Sequence, residues 1–341
     1  MTLKLDVFDD FHVHGASAPE WNQRYLQISP GVMRSSLAEL TTDSIHVFRK
    51  WMSERVAQQG CLPQGKICFA FPIGRFTGSP RMQGREMRED SLFVLRGGDD
   101  FALQRPKGME LMAVTFERED FARLLDERPW TPGARALLSR SMLRAPGHAM
   151  RRLRHDLLML FDETGRSRAA REGSASRLVF DTLSELFDGA ADARQAAGSA
   201  SAGFIVAQCH RMVEAAGDAP PGVEQLCAQL RTSRRTLQNS FRQVADSTPV
   251  HYLRSVRLNA VRRLLMSTSA ADLGVAQAAE ARGFSHLGHF AQRYRALFGE
   301  LPSQTLRGRL RAADSEAASW SRPLPSVARA APPPQLPKRP S

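Results

Sequence analysis

Two short stretches of this chain carry side chains whose types and spacing suit the reading of DNA bases. Ser233, Arg234, Arg235, Gln238, Asn239 and Arg242 recur at helical intervals in the first. Ser285, His286, Gly288, His289, Gln292 and Arg293 do so in the second. An arginine fork pairs bidentately with guanine, and a Gln or Asn amide pairs the same way with adenine. The chemistry is recognition, not bond breaking. No glycine loop that would cradle phosphate and no nucleophile elbow occurs in the chain.

The residues around each stretch predict a helix, a tight turn and a second helix. In the first unit Val223, Leu226 and Leu230 face inward at helical spacing. Ser233 is placed to cap the second helix by accepting a free backbone N–H. Leu237 and Phe241, four residues apart, form its buried edge. That leaves the polar set outward, with the N-terminal end of the helix aimed at the groove. In the second unit Leu273, Ala276 and Ala279 begin a helix, Gly283 allows a left-handed turn, and Phe284 fills the space between helices. Ser285 is expected to cap, with Leu287, Phe290, Tyr294 and Leu297 or Phe298 buried. Gly288 weakens a helix by roughly 1 kcal/mol relative to Ala. It fits either a close approach of the backbone to DNA or a tight helix contact. His289 reads as a hydrogen-bonding surface histidine rather than a metal ligand.

One such pair is also what an ordinary helical hairpin shows. The segment between the two units changes that. Pro249 suits a first helical turn. Tyr252, Leu253, Val256, Val261, Leu264 and Leu265 make one apolar stripe through Met266, with Arg254, Arg257, Arg262 and Arg263 outside it. A long helix therefore joins two similar units.

Charge agrees. The chain has 341 residues and a net charge of +12, with a sequence pI of about 10.5. Residues 221–311 hold fourteen arginines against five carboxylates, an excess of nine. Such a footprint implies an anionic partner. The 42% hydrophobic content supports ordinary cores, and the length suggests two domains with a third possible. Cys61, Cys68, Cys209 and Cys227 show no zinc or Cys-x-x-Cys spacing. No signal peptide and no apolar run of about 18 residues is present, so a cytoplasmic protein without a membrane partner is expected.

Along the chain, residues 1–30 have no clear pattern. Residues 31–118 hold short β-type runs at Met33–Leu40, Ile45–Trp51, Ile67–Ile73, Ser91–Leu95, Phe101–Leu103 and Leu111–Phe116, with Gly97-Gly98-Asp99 as a turn. They predict an antiparallel barrel or sandwich, a form that often encloses a ligand. Arg75, Arg81, Arg85 and Arg88 either meet an anionic ligand or face solvent. Residues 119–188 read as a helical connector. Leu153, Leu157, Leu158 and Leu160 form one stripe, and Leu178, Leu183, Leu186 and Phe187 another. These stripes serve packing on the barrel or self-association. Residues 189–203 read as a linker, 204–311 as the DNA-binding domain and 312–341 as a disordered Pro/Ala-rich tail. The expected class is α+β: an N-terminal antiparallel β-barrel or cupin-like domain of residues 1–188, then an all-α domain of two helix-turn-helix units joined by a long helix.

The C-terminal segment resembles the AraC/XylS family of bacterial transcription regulators. The resemblance rests on Leu226, Leu230, Ser233-Arg-Arg-Thr-Leu237, Phe241-Arg242, Pro249, Arg257-Leu258, Ala260 and Leu264-Leu265. It continues through Ala279, Gly283-Phe284, Phe290, Tyr294-Arg295, Gly299, Pro302 and Arg307. It implies that each second helix enters one of two successive major grooves. By resemblance the base-reading positions are Arg235, Gln238 and Asn239, then Gly288, His289 and Gln292. Asp246 departs from the family, which usually has Gly there. Within the family, Arg234–Asn239 and Arg257–Arg263 are most similar to regulators of ethanolamine utilisation, which implies ethanolamine or adenosylcobalamin as the signal.

Function is therefore expected to be transcriptional activation at promoter DNA, with RNA polymerase as partner and a homodimer as one assembly. No cofactor is expected. The N-terminal domain would sense a small molecule or a partner protein. A cupin-type metal enzyme is the rival reading, from His12-Val13-His14 and Glu20, but no third strand histidine completes a ligand set.

Overall fold

The computed structural model describes residues 2–42, 44–74, 76, 78–162, 175–192, 199–267 and 273–305. Thirteen strands form two antiparallel sheets among these residues. The larger contains β1 (Thr2–Phe8), β3 (Ser35–Thr41), β4 (Ile45–Met52), β6 (Lys66–Ile73), β9 (Ser91–Arg96), β11 (Glu110–Glu117), β12 (Met142–Arg144) and β13 (Ala191–Asp192). Their order is β1-β3-β4-β11-β6-β9-β12-β13. The smaller contains β2 (Arg24–Gln27), β5 (Val56–Cys61), β7 (Arg81–Met82), β8 (Arg85–Glu86) and β10 (Asp100–Arg105), in the order β2-β5-β10-β7-β8.

Both sheets are open among the described residues, so of the two expected forms the closed barrel gives way to two facing layers, as in a sandwich. The reason lies in the pairing: β1 and β13 end the large sheet, β2 and β8 end the small one, and among the described residues no ladder joins them. Trp21, Leu37, Phe48, Met82, Phe93, Phe101, Leu103 and Leu111 fill the space between the layers.

The outer face of the large sheet is covered by helices. These are α2 (Arg118–Glu127), α3 (Pro132–Leu137), α4 (Gly147–Met159) and α5 (Ala175–Asp188). Phe121, Trp130, Leu153, Leu157, Phe180, Leu183 and Phe187 pack there on Val47, Phe69, Phe71, Val114 and Phe116. Because β6, β9 and β11 are buried on both faces, they read as continuous apolar runs rather than alternating ones. The connector stripes thus serve packing, although Leu158 and Leu178 point outward.

Residues 1–30 are more ordered than their sequence suggests. They form β1, α1 (Phe11–Ala16) and β2. Asp10 caps α1 by accepting from His12 N at 2.7 Å. His12 and His14 therefore lie on a helix, not on a strand, and His14 Nδ1 is bonded to Ser35 Oγ at 2.7 Å. This is not the paired strand geometry of a cupin metal set. The expected linker is shorter than its composition implied. Ala191 and Asp192 pair with Arg144 and Leu143, and a helix begins at Ser199. The rest of that linker, the tail 312–341 and Arg75 lie outside the described residues.

The C-terminal part is helical: α6 (Ser199–Ala215), α7 (Val223–Gln229), α8 (Arg234–Ala245), α9 (Pro249–Ser267), α10 (Val275–Glu280) and α11 (Leu287–Phe298). It shares its cores with the N-terminal layers. Phe11, Tyr25, Met33, Met52 and Val56 pack with Leu258, Val261, Phe290, Tyr294 and Phe298. Leu26, Ile28 and Ala57 join Val206, Phe241, Tyr252 and Val256. Helix α9 is consequently buried on more of its circumference than its apolar stripe predicts.

Candidate nucleic-acid interface

The two helix-turn-helix units are built alike. Gln225 Oε1 accepts from Gly222 N at 2.8 Å, and Gln277 Oε1 accepts from Gly274 N at 2.8 Å. Each bond satisfies an N–H at the start of a first helix. In the turns, Thr232 N donates to Cys227 O at 2.9 Å and Phe284 N donates to Ala279 O at 3.1 Å. Arg231 and Gly283 hold the left-handed residue, at φ 48° and 73°. A side chain at Gly283 would strike the carbonyl of Asp218, 2.5 Å from an ideal Cβ. Glycine is required there for space as well as for backbone angle.

The units diverge at the start of the second helix. Ser233 caps α8, accepting from Thr236 N at 3.0 Å. The second turn is one residue longer, so His286 rather than Ser285 occupies the cap position of α11, without a side-chain cap bond. The extra residue also moves Leu287 to the position equivalent to Arg234. It is 41% exposed, not buried as its hydrophobicity suggested. Leu297 and Phe298 are both buried.

All twelve residues expected to meet DNA are exposed: Ser233, Arg234, Arg235, Gln238, Asn239 and Arg242, and Ser285, His286, Gly288, His289, Gln292 and Arg293. Leu237 and Phe241 anchor the first set from below, and Phe290 and Tyr294 the second. A Cβ at Gly288 would meet nothing within 4 Å. The tight helix contact is thereby excluded, and a bare stretch of backbone is left facing outward. Thr236, equivalent to His289 when the helices are aligned by their caps, is exposed too. It escaped the sequence reading because its hydroxyl was assigned no role.

The arginines of α9, outside its apolar stripe, are largely engaged within the protein. Arg257 donates to Arg282 O at 2.8 Å and to Gly283 O, and its guanidinium lies 4.2 Å from the Phe284 ring centre. It fastens the linking helix to the second turn. Arg262 Nε pairs with Asp10 at 2.7 Å and Nη1 with Glu300 at 2.5 Å. Burial works against its charge, but Asp10, Tyr294 and Glu300 outweigh this and raise its pKa. Arg263 pairs with Glu214 at 3.2 Å. Arg254 stays half-buried on the side of the recognition helices. Burial first, then the charge of Arg293, lowers its pKa. Burial, Arg254 and Arg293 lower that of Arg257. The charges of Arg254 and Arg293 thus act on each other between α9 and α11, and phosphate there would relieve the repulsion.

Strand β2 lies against the back of the same frame. Gln27 N donates to Asn259 Oδ1 at 3.0 Å, and Asn259 Nδ2 returns a bond to Gln27 O at 3.0 Å. Gln27 Nε2 reaches Leu297 O in α11 at 2.7 Å. Arg55 pairs with Asp246 at 3.3 Å and donates to Ala245 O. Asp246 itself ends α8 at φ 43°. This left-handed angle explains why glycine suits that position, and Asp is one of the residues that tolerate it.

Residues 226–308 match a family model described as a helix-turn-helix domain. An XylDLEGF operon transcriptional activator of Pseudomonas putida is 42% identical over 85 residues, covering 25% of this chain and 26% of the activator. These residues are a helix-turn-helix domain, similar to the matching part of that activator. A probable thc operon regulatory protein of Rhodococcus erythropolis is 35% identical to this region over 95 residues, covering 28% of the chain and 29% of that protein. Among solved structures, a probable AraC family transcriptional regulator from Rhodopseudomonas palustris CGA009 is 36% identical. It covers 31% of this chain and 97% of its own, with a TM-score of 0.29. The chain spans about a quarter of the length of the first two relatives. The shared region is the helix-turn-helix domain.

Proposed function

We propose that this chain is a sequence-specific transcriptional regulator, an activator, that reads two successive major grooves of promoter DNA through α8 and α11. The observation that carries this reading is the exposure of both polar recognition faces on helices fixed to one frame by α9. The lengths fit. Recognition helices entering grooves on one face of B-DNA address sites one turn apart, about 10–10.5 base pairs. Fixed phosphate contacts hold the register, while Arg235, Gln238, Asn239, His289 and Gln292 read base edges.

In this reading residues 1–188 sense a signal and residues 204–311 bind DNA in the cytoplasm, with RNA polymerase as the partner at the promoter and a homodimer as the assembly. The shared cores and the Gln27–Asn259 bonds support coupling between the two parts. A signal that moved β2 would bias the pose of α9 and α11. The motif similarity alone points to ethanolamine or adenosylcobalamin as that signal, whereas the two cations buried in the N-terminal layers favour an anion, and a thermal titration decides between them. No helix among the described residues is long and apolar enough to cross a membrane.

The test is genome-wide mapping of bound sites followed by affinity measurement on a recovered site. The reading requires a preferred site bound about a thousandfold or more tighter than random DNA, with an affinity that falls steeply as salt rises. Equal binding to every sequence contradicts it.

A further inference from the structure

Two cations are buried between the sheets of the N-terminal layers. Lys50 of β4 is 4% exposed and Arg105 of β10 is 0% exposed. Removing a charge from water is costly unless an opposite charge compensates it. Among the described residues no carboxylate forms a hydrogen bond or ion pair with either. The carboxylates near enough to be felt are Glu39 and Glu20 by Lys50 and Glu110 by Arg105. Glu39 is engaged with His46 at 3.2 Å, Glu110 is held by Arg49, and Glu20 is exposed.

Neutral groups crowd around the pair instead. Lys50 Nζ donates to Gln23 Oε1 at 3.2 Å and to Tyr25 Oη at 3.4 Å. The same Gln23 oxygen accepts from Tyr25 Oη at 2.8 Å and from Gln58 Nε2 at 3.0 Å. One amide oxygen thus serves three donors. Arg105 Nη2 donates to the carbonyls of Lys50 and Met109, at 2.8 and 3.0 Å. Its Nε and Nη1 are buried without a protein partner, as are Gln23 Nε2, Gln58 Oε1 and His14 Nε2. Donors outnumber acceptors, and both charges are positive. The rings of Phe48 and Trp21 lie 4.9 and 5.9 Å from Lys50 Nζ, giving the cluster an aromatic wall.

We infer that this cluster is the signal site of the N-terminal domain and that its ligand is a small organic carboxylate with an apolar or aromatic body. A carboxylate offers two oxygens and about four lone-pair sites, so it can accept from Lys50 and the free edge of Arg105 together. Gln23 would then be released from its triple load. Burial, and after it the charge of Arg105, lowers Lys50 to about 8, and burial lowers Arg105 to about 10 against the opposing pull of Tyr25 and Glu110. An anion between them opposes both effects. The site also has a route outward. Tyr25 bonds Gln23 within the cluster and belongs to the apolar seam with α9 and α11, while Gln27, two residues along the same face of β2, holds Asn259.

This inference rests on the regulator reading, and one experiment separates the two. Full-length protein is melted and titrated calorimetrically with hexanoate and phenylacetate, and in parallel with 1-hexanol, hexylamine and ethanolamine. At least one carboxylate is expected to raise Tm and bind with a Kd of ~1 mM or tighter, and the alcohol and amines are expected not to. Lys50→Met should weaken carboxylate binding by about tenfold or more. It should leave the unliganded Tm equal or higher, because an uncompensated buried charge is removed. Lys50→Gln, which keeps a donor, should fall between. The inference is overturned if neither carboxylate binds at ~10 mM, in which case the cluster holds ordered water only. It is also overturned if alcohol and carboxylate bind equally, or if Lys50→Met binds carboxylate as wild type does. DNA affinity is measured on the same samples. Its absence in the wild type would sink the regulator reading, whereas the carboxylate site is decided by the melts alone.

Discussion

Asn259, in the middle of the helix that joins the two DNA-reading units, exchanges hydrogen bonds in both directions with the backbone of Gln27, 232 residues away. Its Nδ2 also bonds Ser255 O at 2.7 Å. An asparagine at a buried helix position is costly unless every polar atom is paired, and here each is. The pair ties β2 to α9 in a manner that neither hydrophobic contact nor surface charge could specify. Replacing Asn259 with Ala leaves the Gln27 N–H and carbonyl buried without this partner. Chemical denaturation should show a loss of about 1–3 kcal/mol. A loss within about 0.5 kcal/mol, the range of an ordinary surface change, would mean that strand and helix are not bonded in solution.

Asp10 and Arg262 form a second tie across the same seam. Both are largely buried, and Asp10 also caps α1. A double-mutant cycle with Asp10→Asn and Arg262→Met should return a coupling energy of about 0.5–3 kcal/mol in stability. Additive effects would show that the ion pair contributes no specific link between the N-terminal layers and the DNA-binding frame.

Arg235 and Gln292 sit on different recognition helices, so their losses should map to different halves of the operator. Arg235→Ala and Gln292→Ala are each expected to cost on the order of 1–3 kcal/mol at one half-site. Competition assays with half-site substitutions check this. If either variant loses equally on operator and random DNA, its side chain contacts phosphate and not a base.

Glu214 of α6 sits among His210, Arg263 and Arg24, at 3.3, 3.2 and 3.1 Å. Burial alone would raise its pKa, but the His210 bond and the charges of His210 and Arg263 win and pull it down to about 2. A carboxylate depressed in the folded state stabilises the fold above its unfolded value. That contribution is lost as pH falls from about 4.5 towards 2. Glu214→Gln should therefore be less stable than wild type at neutral pH, with the gap closing through that acid window. Melting curves at a series of pH values test it, and a gap independent of pH would contradict the assignment.

Much of the DNA-binding half was legible because its rules are local. Periodicity located α8, α9 and α11, Ser233 announced its cap, and Gly283 announced its turn. The second cap was misplaced because the turn before α11 is one residue longer, a difference that Ser285 conceals by looking like a capping residue. Long-range partners were not legible. Nothing near Arg262 in sequence points to Asp10, nor near Asn259 to Gln27. The N-terminal strands were found where apolar residues run or alternate, as in β4, β6 and β11, and missed where polar or exposed side chains dominate, as in β1 and β5. Basic residues with potential for an anion were sought at Arg81, Arg85 and Arg88, on or beside β7 and β8, where none is buried. The buried cations are Lys50 and Arg105, which look in sequence like ordinary polar positions of alternating strands.

The central claim is that α8 and α11 read two grooves as one rigid unit. Hydroxyl-radical footprinting of a mapped site tests it most directly. The account predicts two protected segments on one face of the duplex, about 10–10.5 base pairs apart. Protection of one segment should weaken with Arg235→Ala and of the other with Gln292→Ala. A single protected segment, or both segments fading together with either substitution, would contradict it.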